Sequence, residues 1–137
     1  MLPFDLHTHT AFSFDGEAAA EDMVFRAYEL RTGYYAVTDH LEINQYYMDE
    51  FRYPETLRES AAVIGRLVGE YSGKMEIIRG IELGQPVHDI PLAEKILAEE
   101  KYEYVIGSCH MVRGYDDFYF LDYDENDPVK LLDIYFD

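Results

Sequence analysis

Apolar residues recur along this chain with two alternating periods. Short apolar runs at about residues 3–9, 34–38, 75–81 and 104–108 read as strands. The stretches between them step by three and four, as the inner face of a helix does. The clearest case is Leu57, Ala61, Ile64, Leu67 (or Val68) and Tyr71. Pro54 stands where a first turn tolerates it, Gly65 and Gly69 weaken the pattern slightly, and Ser72-Gly73 closes it. An earlier helix over 18–31 puts Met23, Ala27 and Leu30 on one face, with Gly33 as its C-terminal cap. A third starts near Pro91 with Leu92, Ala93, Ile96 and Leu97 inward. A fourth follows Asp127-Pro128, an N-cap plus first-turn proline, and carries Leu131, Leu132 and Tyr135. Residues 41–53 and 111–126 are polar and aromatic, and are expected to be loops.

Strand and helix alternate four times. This order predicts an α/β fold with a parallel sheet and right-handed crossovers. Four such units make half a barrel or a small open sheet. The 137 residues suit one domain. The pattern runs out inside a helix, with no capping glycine and no polar tail, which predicts a chain truncated from a longer protein.

Net charge is −17, which argues against a duplex nucleic-acid partner, since such proteins present basic faces. It leaves a phosphorylated substrate open, because bound cations can dominate the local field of a site. Cys109 is the one cysteine, so no internal disulfide forms and a cytoplasmic location is the simple expectation. No basic, apolar leader and no membrane-length run is visible, so neither a signal peptide nor a membrane partner is expected.

The residues that end the strands carry the chemistry. Phe4-Asp5-Leu6-His7-Thr8-His9-Thr10 is a strand closing in His-x-His. Alternation on a strand sends His7 and His9 to one face, where they can grip one ion, and sends Thr8 to the packing layer. His40 ends the second strand, Glu82 the third and His110 the fourth, while Asp15 lies in the loop after the first. The carboxyl ends of parallel barrel strands form one rim, and sites are built there. Histidine suits Zn²⁺ or Fe²⁺, and a glutamate can bridge two ions. A single histidine at a strand end is usually structural; ligand-type residues on four successive strands are a poor coincidence. Asp39 fits a supporting or capping role better than a ligand's. Cys109 should point away from the rim and lie buried and inert. His88 reads as solvated. Arg113 is a candidate to hold a phosphate, though a surface arginine reads equally well. Tyr46, Tyr47, Tyr53, Tyr115, Tyr119 and Tyr123 are mostly packing residues, and the acidic run 116–127 is a solvated loop.

Five segments together resemble the successive motifs of the polymerase and histidinol phosphatase (PHP) family. They are Asp5 to Thr10, Ser13-Phe14-Asp15-Gly16, Thr38-Asp39-His40, Gly80-Ile81-Glu82 and Ile106-Gly107-Ser108-Cys109-His110. Phe120-Leu121-Asp122-Tyr123-Asp124, with the helix bearing Tyr135, looks most like the histidinol-phosphatase branch. The resemblance implies a distorted seven-stranded barrel and up to three divalent ions (Zn, Mn or Fe). His7, His9 and Glu82 would hold the first, Glu82 and His110 the second, and Asp15 and His40 the third. Glu82, His110 and Asp15 are then the catalytic candidates, and later strands, beyond this chain, would bring further ligands. The implied activity is hydrolysis of a small phosphomonoester, histidinol phosphate foremost, by a hydroxide on the ions. Alternatives are a PHP phosphoesterase acting on nucleotides or nucleic-acid ends, a zinc hydrolase of the amidohydrolase type, and a non-catalytic metal-binding or interaction fragment. The amidohydrolase reading fits poorly, because it wants a lysine where His110 stands. Open barrel edges would favour self-association.

Overall fold

The structure, a computed structural model, describes residues 3–49 and 51–136. Its strands are β1 (Phe4–Asp5), β2 (Tyr34–Val37), β3 (His40–Glu42), β4 (Glu76–Gly84) and β5 (Tyr104–Ser108). Its helices are α1 (Ala20–Glu29), α2 (Tyr53–Tyr71), α3 (Ile90–Glu100) and α4 (Pro128–Phe136). Every strand pair is parallel. β1 pairs β2, β2 and β3 pair the same strand β4, and β5 lies on the other side of β4.

β2 and β3 are one strand interrupted. Val37 pairs Arg79 and His40 pairs Glu82, so the register is the same on both sides of the gap. One backbone bond, from Glu82 N–H to Asp39 O at 3.1 Å, spans the gap. The backbone N–H of His40 donates to Ser13 Oγ at 2.7 Å. Asp39 turns inward, and its carboxylate accepts from Thr10 N at 2.6 Å and Thr10 Oγ1 at 3.0 Å. The sheet therefore runs in chain order, as a barrel wall does. The sequence predicts a second strand ending at Asp39-His40 and a loop over 41–53. The strand continues to Glu42, and a 3₁₀ turn, Ile43–Gln45, follows it.

Alternation along the strands sorts the side chains. Tyr35, Val37 and Ile77 pack with Ala20, Val24, Ala27, Ile64 and Leu67 of α1 and α2. Leu41, Ile81 and Leu83 pack with Tyr53, Leu92, Ala93 and Ile96. The residues between them, Ala36, Thr38, His40, Glu42, Gly80, Glu82 and Gly84, thereby take the opposite face. That face carries the site.

Several helix expectations shift by a residue or more. The buried stripe of α1 is Ala20, Val24 and Ala27, with Met23 only at its margin, and Leu30 is exposed. Leu30 is the C-cap and its backbone has left helical geometry, so it leaves the face. Arg31, not Gly33, takes the left-handed position, at φ 58°. In α2 the inner residue is Leu67, while Val68 faces out. Asp89 caps α3 by accepting from Leu92 N at 3.0 Å. Asp127 accepts from Val129 N at 2.9 Å at the start of α4, where Leu131 is buried and Leu132 and Tyr135 are exposed. No helix among the described residues is long and apolar enough to cross a membrane.

Candidate metal centre

The loop after β1 folds back on itself tightly. Ser13 N donates to Thr10 O at 2.9 Å and Gly16 N to Ser13 O at 3.2 Å. A Cβ on Gly16 would overlap the Thr10 carbonyl, so only glycine permits this return. The fold-back carries Asp15 to His9 and His40. Thr8 does not enter the packing layer proper. It fastens the chain to β2 by donating from Oγ1 to Ala36 O at 2.7 Å and from its N–H to Thr38 Oγ1 at 3.0 Å.

Glu82 sits at the middle of the arrangement, 4% exposed. Its Oε2 lies 2.8 Å from His7 Nε2, 2.9 Å from His9 Nε2 and 3.4 Å from His40 Nε2. Its Oε1 accepts from Ser108 Oγ at 2.6 Å and lies 3.1 Å from His110 Nε2. Asp15 Oδ2 is 2.9 Å from His9 Nδ1 and 3.4 Å from His40 Nε2. All six residues singled out in the sequence, His7, His9, Asp15, His40, Glu82 and His110, thus meet at one end of the sheet.

Their chemistry fits divalent ions. His7 Nε2 and His9 Nε2 face each other at 3.1 Å, and each also faces Glu82 Oε2. Two imidazole nitrogens in that position share one hydrogen bond at best, whereas a cation satisfies both lone pairs. Donors bound tetrahedrally at about 2.0–2.1 Å stand roughly 3.3 Å apart, close to this spacing. Three donor groups of this kind form among the described residues: His7–His9–Glu82, His9–Asp15–His40 and His40–Glu42–His110. The first unites three donors that the family resemblance gave to one ion. The second adds His9 to Asp15 and His40, and the third introduces Glu42.

The electrostatics follow from the packing. Hydrogen bonding to Glu82 chiefly, against burial, raises the His9 pKa from 6.5 to about 9. Hydrogen bonds to Glu42 and then Glu82 raise that of His110 from 6.5 to about 10. Burial pushes the Glu82 and Glu42 carboxyls up. The histidines around them, with Ser108 at Glu82, outweigh it and hold both below the usual carboxylate range. Asp39 behaves oppositely: burial dominates and raises its pKa. Its hydrogen bonds serve Thr10, so it secures the loop and stands behind the donors.

Other candidates lie elsewhere. Arg113 is exposed and forms no ion pair among the described residues, nor does it line the cleft of about 620 Å³ beside Glu42. Of the singled-out tyrosines, only Tyr115 lines that cleft, together with Phe14, Phe51, Met111 and Phe120. Tyr53 belongs to the core and Tyr119 to the surface. Cys109 is half-buried, and its thiol donates to Met111 O at 3.3 Å. His88 ends a 3₁₀ turn, Pro86–His88, and joins none of the donor groups. Asp117 and Asp122 in the acidic run accept from the backbone N–H of Tyr119 and Asp124, local turn bonds at the surface.

Two residues escaped the sequence reading. Glu42 is 3% exposed and touches both His40 and His110. Its signal was the two-residue spacing from His40, the same spacing that marks His7 and His9. Gln85, fully buried at φ 57°, holds the His110 backbone: with its amide oxygen toward that segment it accepts from His110 N at 2.5 Å and Met111 N at 2.9 Å.

Comparison with known proteins places this geometry in context. The chain is 24% identical to a probable histidinol-phosphatase of Clostridium acetobutylicum over 98% of its own length and 50% of the relative's. It is 27% identical to a probable histidinol-phosphatase of Deinococcus radiodurans, covering 96% of this chain and 52% of that one. The chain thus spans about half the length of these relatives. A crystal structure of histidinol phosphate phosphatase from Lactococcus lactis, complexed with zinc, L-histidinol and phosphate, superposes with a TM-score of 0.68 at 23% identity. The match covers 88% of this chain and 46% of that one. It establishes the fold: the parallel sheet is the wall of a half-barrel. The PHP domain matches residues 5–137, and the chain belongs to that family.

Proposed function

We propose that this chain supplies about half of a barrel phosphomonoesterase that acts on histidinol phosphate. The observation that carries the reading is the convergence of three histidines, His7, His9 and His110, on the two oxygens of one buried carboxylate, Glu82, with Asp15 and His40 alongside. The names of the similar proteins support the substrate. Zn²⁺, Mn²⁺ or Fe²⁺ held there would polarise phosphoryl oxygens and acidify a water.

The chain's own residues set the stage. Glu82 Oε2 would serve the ion shared with His7 and His9, and its Oε1 the ion shared with His110, so one carboxylate ties two positions together. Asp15 and His40 would hold a third. Ser108 fixes the Glu82 oxygen that faces His110. Apart from His7, the histidines around Glu82 are largely shielded from water, which strengthens every charge interaction among them. The cleft walled by Phe14, Phe51, Tyr115 and Phe120 opens beside the donors and suits the organic part of a small ester.

The test is phosphate release by the full gene product with added Zn²⁺, Mn²⁺ or Fe²⁺. Histidinol phosphate should be hydrolysed faster than a nucleotide or a single-stranded oligonucleotide; the reverse order would move the function to nucleic-acid ends. Glu82→Gln should reduce turnover by at least about a hundredfold, as loss of a group facing two ions predicts, while His88→Ala changes it little. Equal small losses would remove Glu82 from its role.

A further inference from the structure

Glu42 lies behind two of the proposed ligand histidines at once. Its Oε1 is 2.8 Å from His110 Nδ1 and 3.4 Å from His40 Nδ1. The opposite ring nitrogens of both histidines face Glu82: His110 Nε2 at 3.1 Å and His40 Nε2 at 3.4 Å. His110 is therefore held by hydrogen bonds between a central carboxylate and a rear one, and His40 stands 3.4 Å from the same two. The rear carboxylate is deliberately accommodated. Gly84 is its neighbour across the β3–β4 ladder, and a Cβ there would overlap the Glu42 carboxylate. Glu42 Oε2 and His40 Nδ1 are buried without a hydrogen-bond partner, so the Glu42 carboxylate sits there at a cost that packing alone does not repay.

We infer that Glu42 is a positioning residue: it holds His110 as the Nδ1–H tautomer, so that this ring presents its Nε2 lone pair to an ion at Glu82, and it lies 3.4 Å behind His40 Nδ1. This rests on the metal-dependent reading above. A carboxylate behind a metal-bound imidazole fixes its tautomer and orientation and raises its basicity, and losing such a partner typically weakens metal binding by about 10–100-fold. Because one oxygen lies against both rings, Glu42 also stands between the second and third proposed ion positions. The sequence places it two residues after His40 on the same strand face, so His40 and Glu42 form one unit.

The experiment uses Zn²⁺ alone, with no substrate. Chelator competition gives the Zn²⁺ affinity of the unaltered chain, Glu42→Gln and Glu42→Asp, and circular dichroism checks that each folds. Glu42→Gln should weaken the weaker-bound Zn²⁺ by about 10–100-fold while leaving the ion at His7 and His9 within a factor of about two. Glu42→Asp, too short to reach His110, should behave similarly. Ring ¹⁵N shifts of Zn²⁺-loaded, unaltered protein provide a reading that needs no variant: His110 should be metallated at Nε2 and protonated at Nδ1. Unchanged affinity in both variants, or a His110 metallated at Nδ1, would overturn the inference. So would complete loss of one Zn²⁺ equivalent in Glu42→Gln, which would make Glu42 a ligand itself. If the unaltered chain takes up no Zn²⁺, the metal-dependent reading fails and this inference goes with it; normal uptake with unaffected variants sinks the inference alone.

Discussion

At the scale of single residues, the donor cluster is a place where protons and metal ions compete for the same nitrogens. Without ions, His9 and His110 are held charged by Glu82 and Glu42, with pKa values of about 9 and about 10 against an ordinary 6.5. Both values are raised on folding, so their contribution to stability is fully present below pH 6.5 and is lost as pH climbs through about 9 to 10. Glu82 and Glu42 are shifted the other way, so theirs is present above about pH 4.5 and is lost as pH falls through their depressed values. In chelator, the urea midpoint should be highest between about pH 4.5 and 6.5 and lower at about pH 10. Zn²⁺ reverses the alkaline limb, because a metal takes lone pairs only from deprotonated histidines. Its affinity should rise from about pH 6 to pH 9, with protons released on binding. A metal-free midpoint that climbs steadily from pH 6 to 10 would contradict the ion pairing described here.

At the scale of elements, the same physics decides what the sequence reveals. Ile64 and Leu67 of α2 are nearly inaccessible, whereas Leu30, which the helical spacing of Met23 and Ala27 draws into the core, is exposed. Ile64→Ala or Leu67→Ala should cost about 2–5 kcal/mol of unfolding free energy, and Leu30→Ala less than about 1. Comparable losses at Leu30 would mean that α1 continues a further turn and buries it. Apolar periodicity located the strands and helices well because tertiary packing and pattern agree there. It failed at the end of α1, where one residue of cap geometry turns Leu30 off the helical face. It failed again at β3. That strand reads His-Leu-Glu, and two of its three residues are ionisable, so it looks like loop to any hydrophobicity argument. Only a neighbouring cluster of opposite charges makes such a strand tolerable inside, and pairing across the sheet is not visible in local sequence. Glu42 was missed for this reason, and Gln85 because its role is to hold a backbone that arrives from β5. His7, His9, Asp15, His40, Glu82 and His110 stood out because the apolar pattern puts each at or after a strand's end, although in the structure β1 stops at Asp5, His40 opens β3 and β4 runs past Glu82 to Gly84.

At the scale of the whole molecule, the half-barrel wall leaves two edges. Among the described residues, β1 pairs only with β2, and β5 only with β4. An unpaired parallel edge offers its N–H and C=O groups to any chain that can extend it. Apolar side chains accompany both edges and the helix beyond. Phe4 is 64% exposed, Val105 42%, and Val129, Leu132 and Phe136 of α4 are more than half exposed. A stable monomer rarely leaves such patches in water. The superposed phosphatase is about twice as long as this chain, and the curated relatives are too. A barrel closes only when strand number, tilt and stagger agree, and a half wall does not close on itself. The 137-residue chain at tens of micromolar should therefore associate through β1 and β5, and light scattering should show a mass that rises with concentration. Val105→Lys places a charge on the exposed face of the β5 edge strand and should shift the population toward monomer without disturbing Glu82, which points to the other face. A sharp monomer at every concentration, with unaltered Zn²⁺ uptake, would show that a half wall is self-sufficient and that its edges are protected by their own side chains.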